Sequence, residues 1–276
     1  MLTRRAGVLG RPIAHSLSPV IHNAGYQAAG LTGWSYTAIE CGAQELPGLV
    51  ASLGPEWVGL SVTMPGKEAA LAAAATASPI ATAIGAANTL VRRPDGSWHA
   101  DNTDAPGMVA VLREAQVADG AEVTVLGAGG TARAAIAAAA ELRAARVTVV
   151  ARRPEAIEEL RPVAAAVGVT MTGAPWADAA SFLDADVVIS TVPKGAADPL
   201  APVARWRPGA VYFDALYDPW PTPLADAAQR SGQRVISGLD LLLAQAVHQF
   251  EQFTGVSAPV EAMRTALWAA AGRPSA

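Results

Sequence analysis

The run with the most chemistry in its spacing is Gly127-Ala128-Gly129-Gly130-Thr131-Ala132, which follows the apolar stretch Glu122–Leu126 and opens an alanine-rich segment. The first glycine permits a tight turn, and the second lets the backbone come close to a pyrophosphate. Ala132, in the third position of the motif, is small enough for a helix to pack on the strand before it. The start of that helix offers free N–H groups and partial positive charge to phosphate oxygens. A plain structural turn is the alternative, but strand, turn, helix and second strand stand in the order a dinucleotide site needs. After the second strand, Arg146–Val150, comes Ala151-Arg152-Arg153-Pro154, where an NAD site would place Asp or Glu. Two guanidinium groups there suit a 2′-phosphate and so favour NADP; the alternative is a solvated arginine pair capping the next helix region.

More polar groups gather in the first hundred residues. His15-Ser16-Leu17-Ser18-Pro19 sets two hydroxyls beside a helix start. They could cradle a carboxylate, although N-capping by Ser18, with Pro19 at the first helical position, is the simpler account of that stretch alone. Ser61-Val62-Thr63-Met64-Pro65-Gly66-Lys67 ends a strand and enters a helix, so Lys67 projects from a sheet edge. Asn88 and Thr89 begin a strand, and Asp101-Asn102-Thr103-Asp104 ends another. Singly, such charges are most often solvated surface groups. Collected at strand edges beside a nucleotide domain, they fit a cleft that takes a small-molecule substrate. Lys67 and Lys194 are the only lysines among 20 basic residues, so each hints that an ammonium is needed there. His15, His22, His99 and His248 lack metal-ligand spacing and Cys41 is the single cysteine, so no metal is expected.

The elements that must position these groups read as two α/β domains, in keeping with 276 residues. Hydrophobic residues at 51 % against 16 % charged exclude a disordered chain. A net charge of −4 leaves no broad basic surface, so nucleic acid is not an expected partner. The long uncharged run between Glu68 and Arg92 is broken by Pro79, Gly85 and Asn88 and cannot be a membrane span. Arg11 arrives too early for a secretory leader, and one thiol suits a reducing compartment, so a cytoplasmic protein is expected. Strands are expected at Gly7–Gly10, Trp34–Glu40, Trp57–Thr63, Asn88–Arg92 and Trp98–Ala100, with helices over Ser18–Ala29, Ala43–Leu53 and Gly66–Ala75. A helix over Ala105–Gln116 leads into the glycine-turn unit, whose further strands are Val187–Ser190, Val211–Asp214 and Arg234–Ile236, a doubly wound parallel sheet. Two helices, Leu239–Gly255 and Pro259–Ala271, close the sequence.

Taken together, these motifs resemble the shikimate dehydrogenase family over nearly the whole chain. The resemblance is carried by GRPIAHSLSPVIHN (Gly10–Asn23), SVTMPGK (Ser61–Lys67), GAANTL (Gly85–Leu90), DNTDAPG (Asp101–Gly107), GAGGTARAA (Gly127–Ala135), PWPTPL (Pro219–Leu224) and GLDLLLAQA (Gly238–Ala246). It implies a substrate domain over 1–104, an NADP-binding Rossmann-like domain over 105–237, and C-terminal helices from 238 that return to the first domain. The implied activity is reversible NADPH-dependent reduction of 3-dehydroshikimate to shikimate, in the route to chorismate and aromatic amino acids. By the same resemblance, Lys67 and Asp104 are the catalytic pair, and Ser16 and Ser18 bind the substrate carboxylate. Thr63, Asn88, Tyr217 and Gln245 hold other substrate oxygens. Gly127, Ala128, Gly129, Gly130, Thr131, Arg152 and Arg153 bind the cofactor, with Leu216 and Gly238 near its nicotinamide. The chain departs from the family pattern at Ala151, at Leu241 and at Gly66, where the missing side chain predicts a more open rim. A quinate or aminoshikimate-type paralogue and a non-catalytic NADP sensor are the competing readings, and a homodimer is left open.

Overall fold

A computed structural model of the protein describes residues 3–273. The chain divides into two compact units: residues up to 103 together with those from 242 onward, and residues 104–241.

The first unit is built on one six-stranded sheet: β1 (Arg4–Gly10), β2 (Trp34–Glu40), β3 (Trp57–Val62), β4 (Thr76–Ala77), β5 (Thr89–Arg92) and β6 (Trp98–Asp101), in the order β2-β1-β3-β5-β6-β4. β1 runs parallel to β2 and β3, β5 is antiparallel to its neighbours β3 and β6, and β4 is parallel to β6. Five consecutive residues of β1, Ala6 to Gly10, are buried, as a parallel strand covered on both faces requires. Between the strands lie α1 (Ser18–Ala28), α2 (Leu46–Ser52), α3 (Lys67–Ala73) and α4 (Pro79–Ile84). Leu9, Leu46, Val50, Trp57, Leu60, Val62, Leu90 and Trp98 form the core on the side of α2 and α3.

The second unit contains α5 (Asp104–Glu114), β7 (Glu122–Leu126), α6 (Gly130–Glu141), β8 (Arg146–Ala151), α7 (Pro154–Glu158), α8 (Arg161–Val167), β9 (Met171–Pro175), β10 (Val187–Ser190), β11 (Val211–Asp214), α9 (Pro223–Arg230) and β12 (Arg234–Ile236). Every strand pair in it is parallel, in the order β12-β11-β10-β7-β8-β9. This is the expected doubly wound sheet, and its strand order reverses between β7 and β10. Ligands in such sheets bind outside the carboxyl ends of the strands at that reversal. α6 buries Ala132, Ala134, Ala135, Ile136, Ala137, Ala138 and Ala139, and side chains this small let a helix lie close on its neighbours.

Two helices follow, α10 (Gly238–Thr254) and α11 (Val260–Ala270). α10 is continuous across the division, its residues up to 241 belonging to the second unit and the rest to the first. α11 packs on α1, where a Cβ at Gly25 would lie 2.9 Å from the Phe250 ring and 3.1 Å from Met263 Cγ. Among the described residues, no helix is long and apolar enough to cross a membrane.

Candidate active site

In the first unit, Ser16, Ser18, Thr63, Lys67 and Asn88 lie at strand ends along one edge of the sheet. The loop after β1 and the turn after β3 are tied together, since Arg11 N–H donates to the Met64 carbonyl (3.1 Å) and Thr63 N–H to the Leu9 carbonyl (2.8 Å). Gly10 makes this approach possible, because a side chain there would collide with Thr63 Cγ2. Ser16 and Ser18 lie on that loop. α1 begins at Ser18 with Leu17 in the capping position and no side-chain cap, so the expected N-capping by Ser18 is not what the structure shows. The Ser16 hydroxyl instead accepts the Ser18 N–H at 3.3 Å, which leaves the Ser18 hydroxyl without a protein partner among the described residues. Asn23, later in the same motif, is structural: its amide bonds Tyr36 N–H and C=O, both at 2.9 Å, and so ties α1 to β2.

Lys67 opens α3, half-buried, directly after a turn in which Gly66 N–H donates to the Thr63 carbonyl at 2.9 Å. Its own carbonyl accepts the Ala87 N–H (2.9 Å), fixing the start of α3 against the segment that leads into β5. Asn88 is buried and heavily committed. Its Oδ1 accepts from Thr103 N–H (2.8 Å) and Thr89 Oγ1 (2.8 Å), while Nδ2 donates to Thr103 Oγ1 (3.0 Å). The amide therefore locks the residue that precedes Asp104, itself buried at the start of α5.

Sequence reasoning missed the support beneath this knot. Gln249, one turn beyond Gln245 on α10, is fully buried and donates to Thr89 Oγ1 (3.0 Å) and the Asn88 carbonyl (3.2 Å). Its Oε1 accepts from Ser61, whose oxygen accepts in turn from Tyr36 (2.7 and 2.6 Å). A glutamine in an apolar helix face carries no motif, and only its buried position reveals its work. Gln245 is also buried, its Nε2 donating to the Leu242 carbonyl. His22 stacks on Tyr36 with ring centroids 4.1 Å apart, and among the described residues neither ring nitrogen is matched by a hydrogen bond. Burial drives its pKa down to about 3, the nearby Gln249 amide opposing only part of that.

In the second unit, the expected cofactor residues lie along the carboxyl edge of the parallel sheet. Gly127 follows β7 with φ +102°, and a Cβ there would sit 2.6 Å from Thr191 Oγ1, in the loop after the neighbouring β10. Gly129 and Gly130 differ: nothing lies within 4 Å of a Cβ at either, and the start of α6 has no side-chain cap. Open space in front of uncapped N–H groups at the strand-order reversal fits the phosphates of a dinucleotide. Arg152 and Arg153 follow β8, both exposed, and neither pairs with another described residue. Arg153 occupies the α7 cap position without a capping bond, so the pair does not serve as that helix's cap.

Leu216 and Tyr217 lie in the loop after β11. Gly238 N–H donates to the Leu216 carbonyl (3.1 Å), and a Cβ at Gly238 would lie 2.7 Å from the Ala215 carbonyl carbon. Gly238 is thus the place where the Leu216 backbone rests on the start of α10. Burial raises the Tyr217 phenol above its ordinary pKa, and the nearby Asp218 adds to the effect. A hollow of about 750 Å³ lies at the opposite edge of this sheet. Its charged lining is already engaged, Asp186 with Arg207 and the Glu122 N–H, and Arg234 with the Ala115 carbonyl. Among the described residues, no group of three His, Cys, Asp or Glu side chains could hold a metal.

Residues 8–90 match the family profile described as the shikimate dehydrogenase substrate binding domain, and 238–267 match the shikimate 5′-dehydrogenase C-terminal domain. Residues 99–215 match the alanine dehydrogenase/PNT C-terminal domain. The shikimate dehydrogenase (NADP(+)) of Caulobacter vibrioides is 41% identical over 258 residues, covering 90% of this chain and 89% of its own. The chain belongs to the shikimate dehydrogenase family. A crystal structure of the Mycobacterium tuberculosis shikimate dehydrogenase superposes with a TM-score of 0.87 at 50% identity, covering 96% of this chain and 99% of that one. The Thermus thermophilus shikimate 5-dehydrogenase in complex with NADP(H) and shikimate gives 0.84 at 32% identity, covering 97% and 100%.

For a shikimate dehydrogenase, Gly66 was expected to open the rim beside Lys67. The structure corrects this: Gly66 is buried, and a Cβ there would lie 2.9 Å from Val62 Cγ1 and 3.0 Å from Leu46 Cδ1. Neighbouring side chains already fill the space a larger residue would take. Leu241, another departure, is buried as an apolar core residue.

Proposed function

We propose that this chain catalyses the reversible reduction of 3-dehydroshikimate to shikimate with NADPH, in the route to chorismate and aromatic amino acids. The observation that carries the proposal is the full-length kinship with shikimate dehydrogenases (NADP(+)), joined here to a glycine turn and arginine pair that fit NADP. The first unit is assigned most of the substrate contacts, and the second the cofactor together with Asp104 and Tyr217.

Reduction of a ketone builds negative charge on the carbonyl oxygen and consumes a proton. When bound, NADPH supplies the hydride. Lys67 meets the growing charge with its ammonium and delivers the proton from Nζ to that oxygen. In the reverse oxidation its neutral amine takes the proton back. Asp104 is its catalytic partner and accepts a hydrogen bond from a substrate hydroxyl. The Ser16 and Ser18 hydroxyls donate to the substrate carboxylate, and Thr63, Asn88, Tyr217 and Gln245 hold its remaining oxygens.

Gly127 shapes the phosphate turn, while the backbone from Ala128 to Thr131 presents N–H groups to the pyrophosphate. Arg152 and Arg153 clamp the 2′-phosphate, ideally in bidentate geometry. Leu216 and the backbone around Gly238 border the nicotinamide end. A cytoplasmic location belongs to the same proposal, and so does a homodimer, which sedimentation would test.

The deciding experiment follows reduced-cofactor absorbance with shikimate and quinate, each paired with NADP and with NAD. The expected result is the highest kcat/KM for shikimate with NADP. Turnover mainly of quinate, or mainly with NAD, refutes the proposal and moves the chain to a paralogous activity. Binding of NADP without turnover in any pairing points to a sensor.

A further inference from the structure

Asp214 is the last residue of β11, 1% exposed, and among the described residues no cation pairs with it. Its Oδ1 accepts the Leu216 N–H at 3.1 Å. Its Oδ2 accepts the Thr222 hydroxyl at 2.8 Å and the Tyr212 hydroxyl at 2.9 Å. Thr222 caps α9, its oxygen accepting the Ala225 N–H at 3.2 Å. One carboxylate thus holds both ends of the loop 215–222, at Leu216 where it leaves the sheet and at Thr222 where it enters a helix. The Leu216 carbonyl is held from the other side by the Gly238 N–H. A buried carboxylate is costly unless hydrogen-bonded, and burial raises this one above its ordinary pKa. The cost is spent on a loop that carries two of the proposed site residues.

We propose that Asp214, through Thr222, is a positioning residue that sets the Leu216–Tyr217 loop for catalysis. This rests on the roles given above to Leu216 and Tyr217. Three donors converge on Asp214, and only two belong to the loop. The third, Tyr212, lies within β11 and supplies an internal control. Thr222→Val removes a bond to the loop and Tyr212→Phe removes one to the strand, each from the same oxygen. Thr222→Ser keeps both the clamp and the helix cap.

The experiment measures, for each variant, shikimate oxidation with NADP, the Kd of adenosine 2′,5′-bisphosphate, and amide exchange across 215–222. The bisphosphate reports the adenosine end of the cofactor site without its nicotinamide. Thr222→Val is expected to lower kcat/KM for shikimate at least about tenfold and to speed exchange at Leu216. The bisphosphate Kd should stay within about twofold, and Tyr212→Phe and Thr222→Ser should stay near the parent activity. Equal losses in Thr222→Val and Tyr212→Phe would overturn the proposal, since they would show only general damage to β11. Unchanged activity with faster loop exchange would also overturn it. If the parent chain binds the bisphosphate but does not oxidise shikimate, the functional reading falls, while faster exchange in Thr222→Val alone still supports the clamp.

Discussion

The glycine turn makes a prediction that separates architecture from ligand contact within three residues. Gly127 has φ +102°, and a Cβ there would lie 2.6 Å from Thr191 Oγ1 and 3.1 Å from Val192 Cγ1. An L side chain at positive φ costs about 1–2 kcal/mol. Displacing Thr191 would also disturb its hydroxyl's 2.9 Å bond to the Leu126 carbonyl, worth about 1 kcal/mol net. Gly127→Ala should therefore destabilise the protein by about 2–4 kcal/mol, with some overpacking included. At about 2–4 °C per kcal/mol for a protein of this size, the thermal midpoint should fall by roughly 5–15 °C. Gly129, at φ −99° with nothing within 4 Å of its Cβ, should accept alanine with stability unchanged to about 0.5 kcal/mol. Its added methyl would stand in the space assigned to the pyrophosphate, so NADP affinity should fall at least about tenfold, or ~1.4 kcal/mol. Thermal unfolding without cofactor and titration calorimetry with NADP measure the two quantities. A Gly129→Ala protein that binds NADP like the parent, or a Gly127→Ala protein that melts like it, would refute the reasoning.

Lys67→Ala should lower kcat more than it raises KM for shikimate, because an ammonium acting on developing charge works mainly in the transition state; steady-state kinetics with kcat intact would remove Lys67 from its role. Replacing Arg152 and Arg153 together by alanine should erase the preference for NADP over NAD while leaving kcat with saturating cofactor within about threefold; a preference that survives would place the 2′-phosphate elsewhere. His22 supplies a pH prediction. Its folded pKa of about 3 lies below the ordinary histidine value of 6.5, so it contributes stability above 6.5 that is lost as pH falls toward 3. At pH 4 the loss is about 3 kcal/mol at ~1.4 kcal/mol per pH unit. His22→Phe keeps a ring against Tyr36 and cannot titrate, so urea unfolding should show the variant gaining on the parent by that order between pH 7 and pH 4. A constant difference across that range would mean that His22 does not titrate with unfolding.

The second unit was the more legible in sequence because its signals are local. A glycine turn between a β-branched strand and an alanine-rich helix announces itself, and so does the arginine pair one strand later. The first unit resists this, since its short elements β4 and α4 sit in an Ala/Thr/Ser run with little periodicity. The Ser78 cap with Pro79 after it, and Gly85 at φ +71°, mark the ends of α4. Ser16, Thr63, Lys67 and Asn88 were each readable at a strand end. What holds Asn88 was not, because Gln249 comes from 161 residues away in the chain. Gly66 misled for the same reason: an absent side chain looks like space until Leu46 is seen filling it. Asp214 likewise ends an ordinary apolar strand, and nothing in its neighbours betrays a carboxylate bound by three donors.

The division of the chain has a consequence for how the protein is made. Synthesis proceeds from the N-terminus, and domains usually fold as they emerge. Here the first unit is discontinuous, while residues 104–241 form the second without interruption. Phe250 and Phe253 come from α10, and they press on Gly25 and on Gly59 in the first unit, with Gln249 bonding β3 and β5 beside them. Until that helix has left the ribosome, the segment made first lacks the rings that cover Gly25 and Gly59 and the amide that bonds Ser61 and Thr89. The order of birth is therefore inverted: residues 104–241 can pack as one unit while the older N-terminal segment waits for the helix that closes its core.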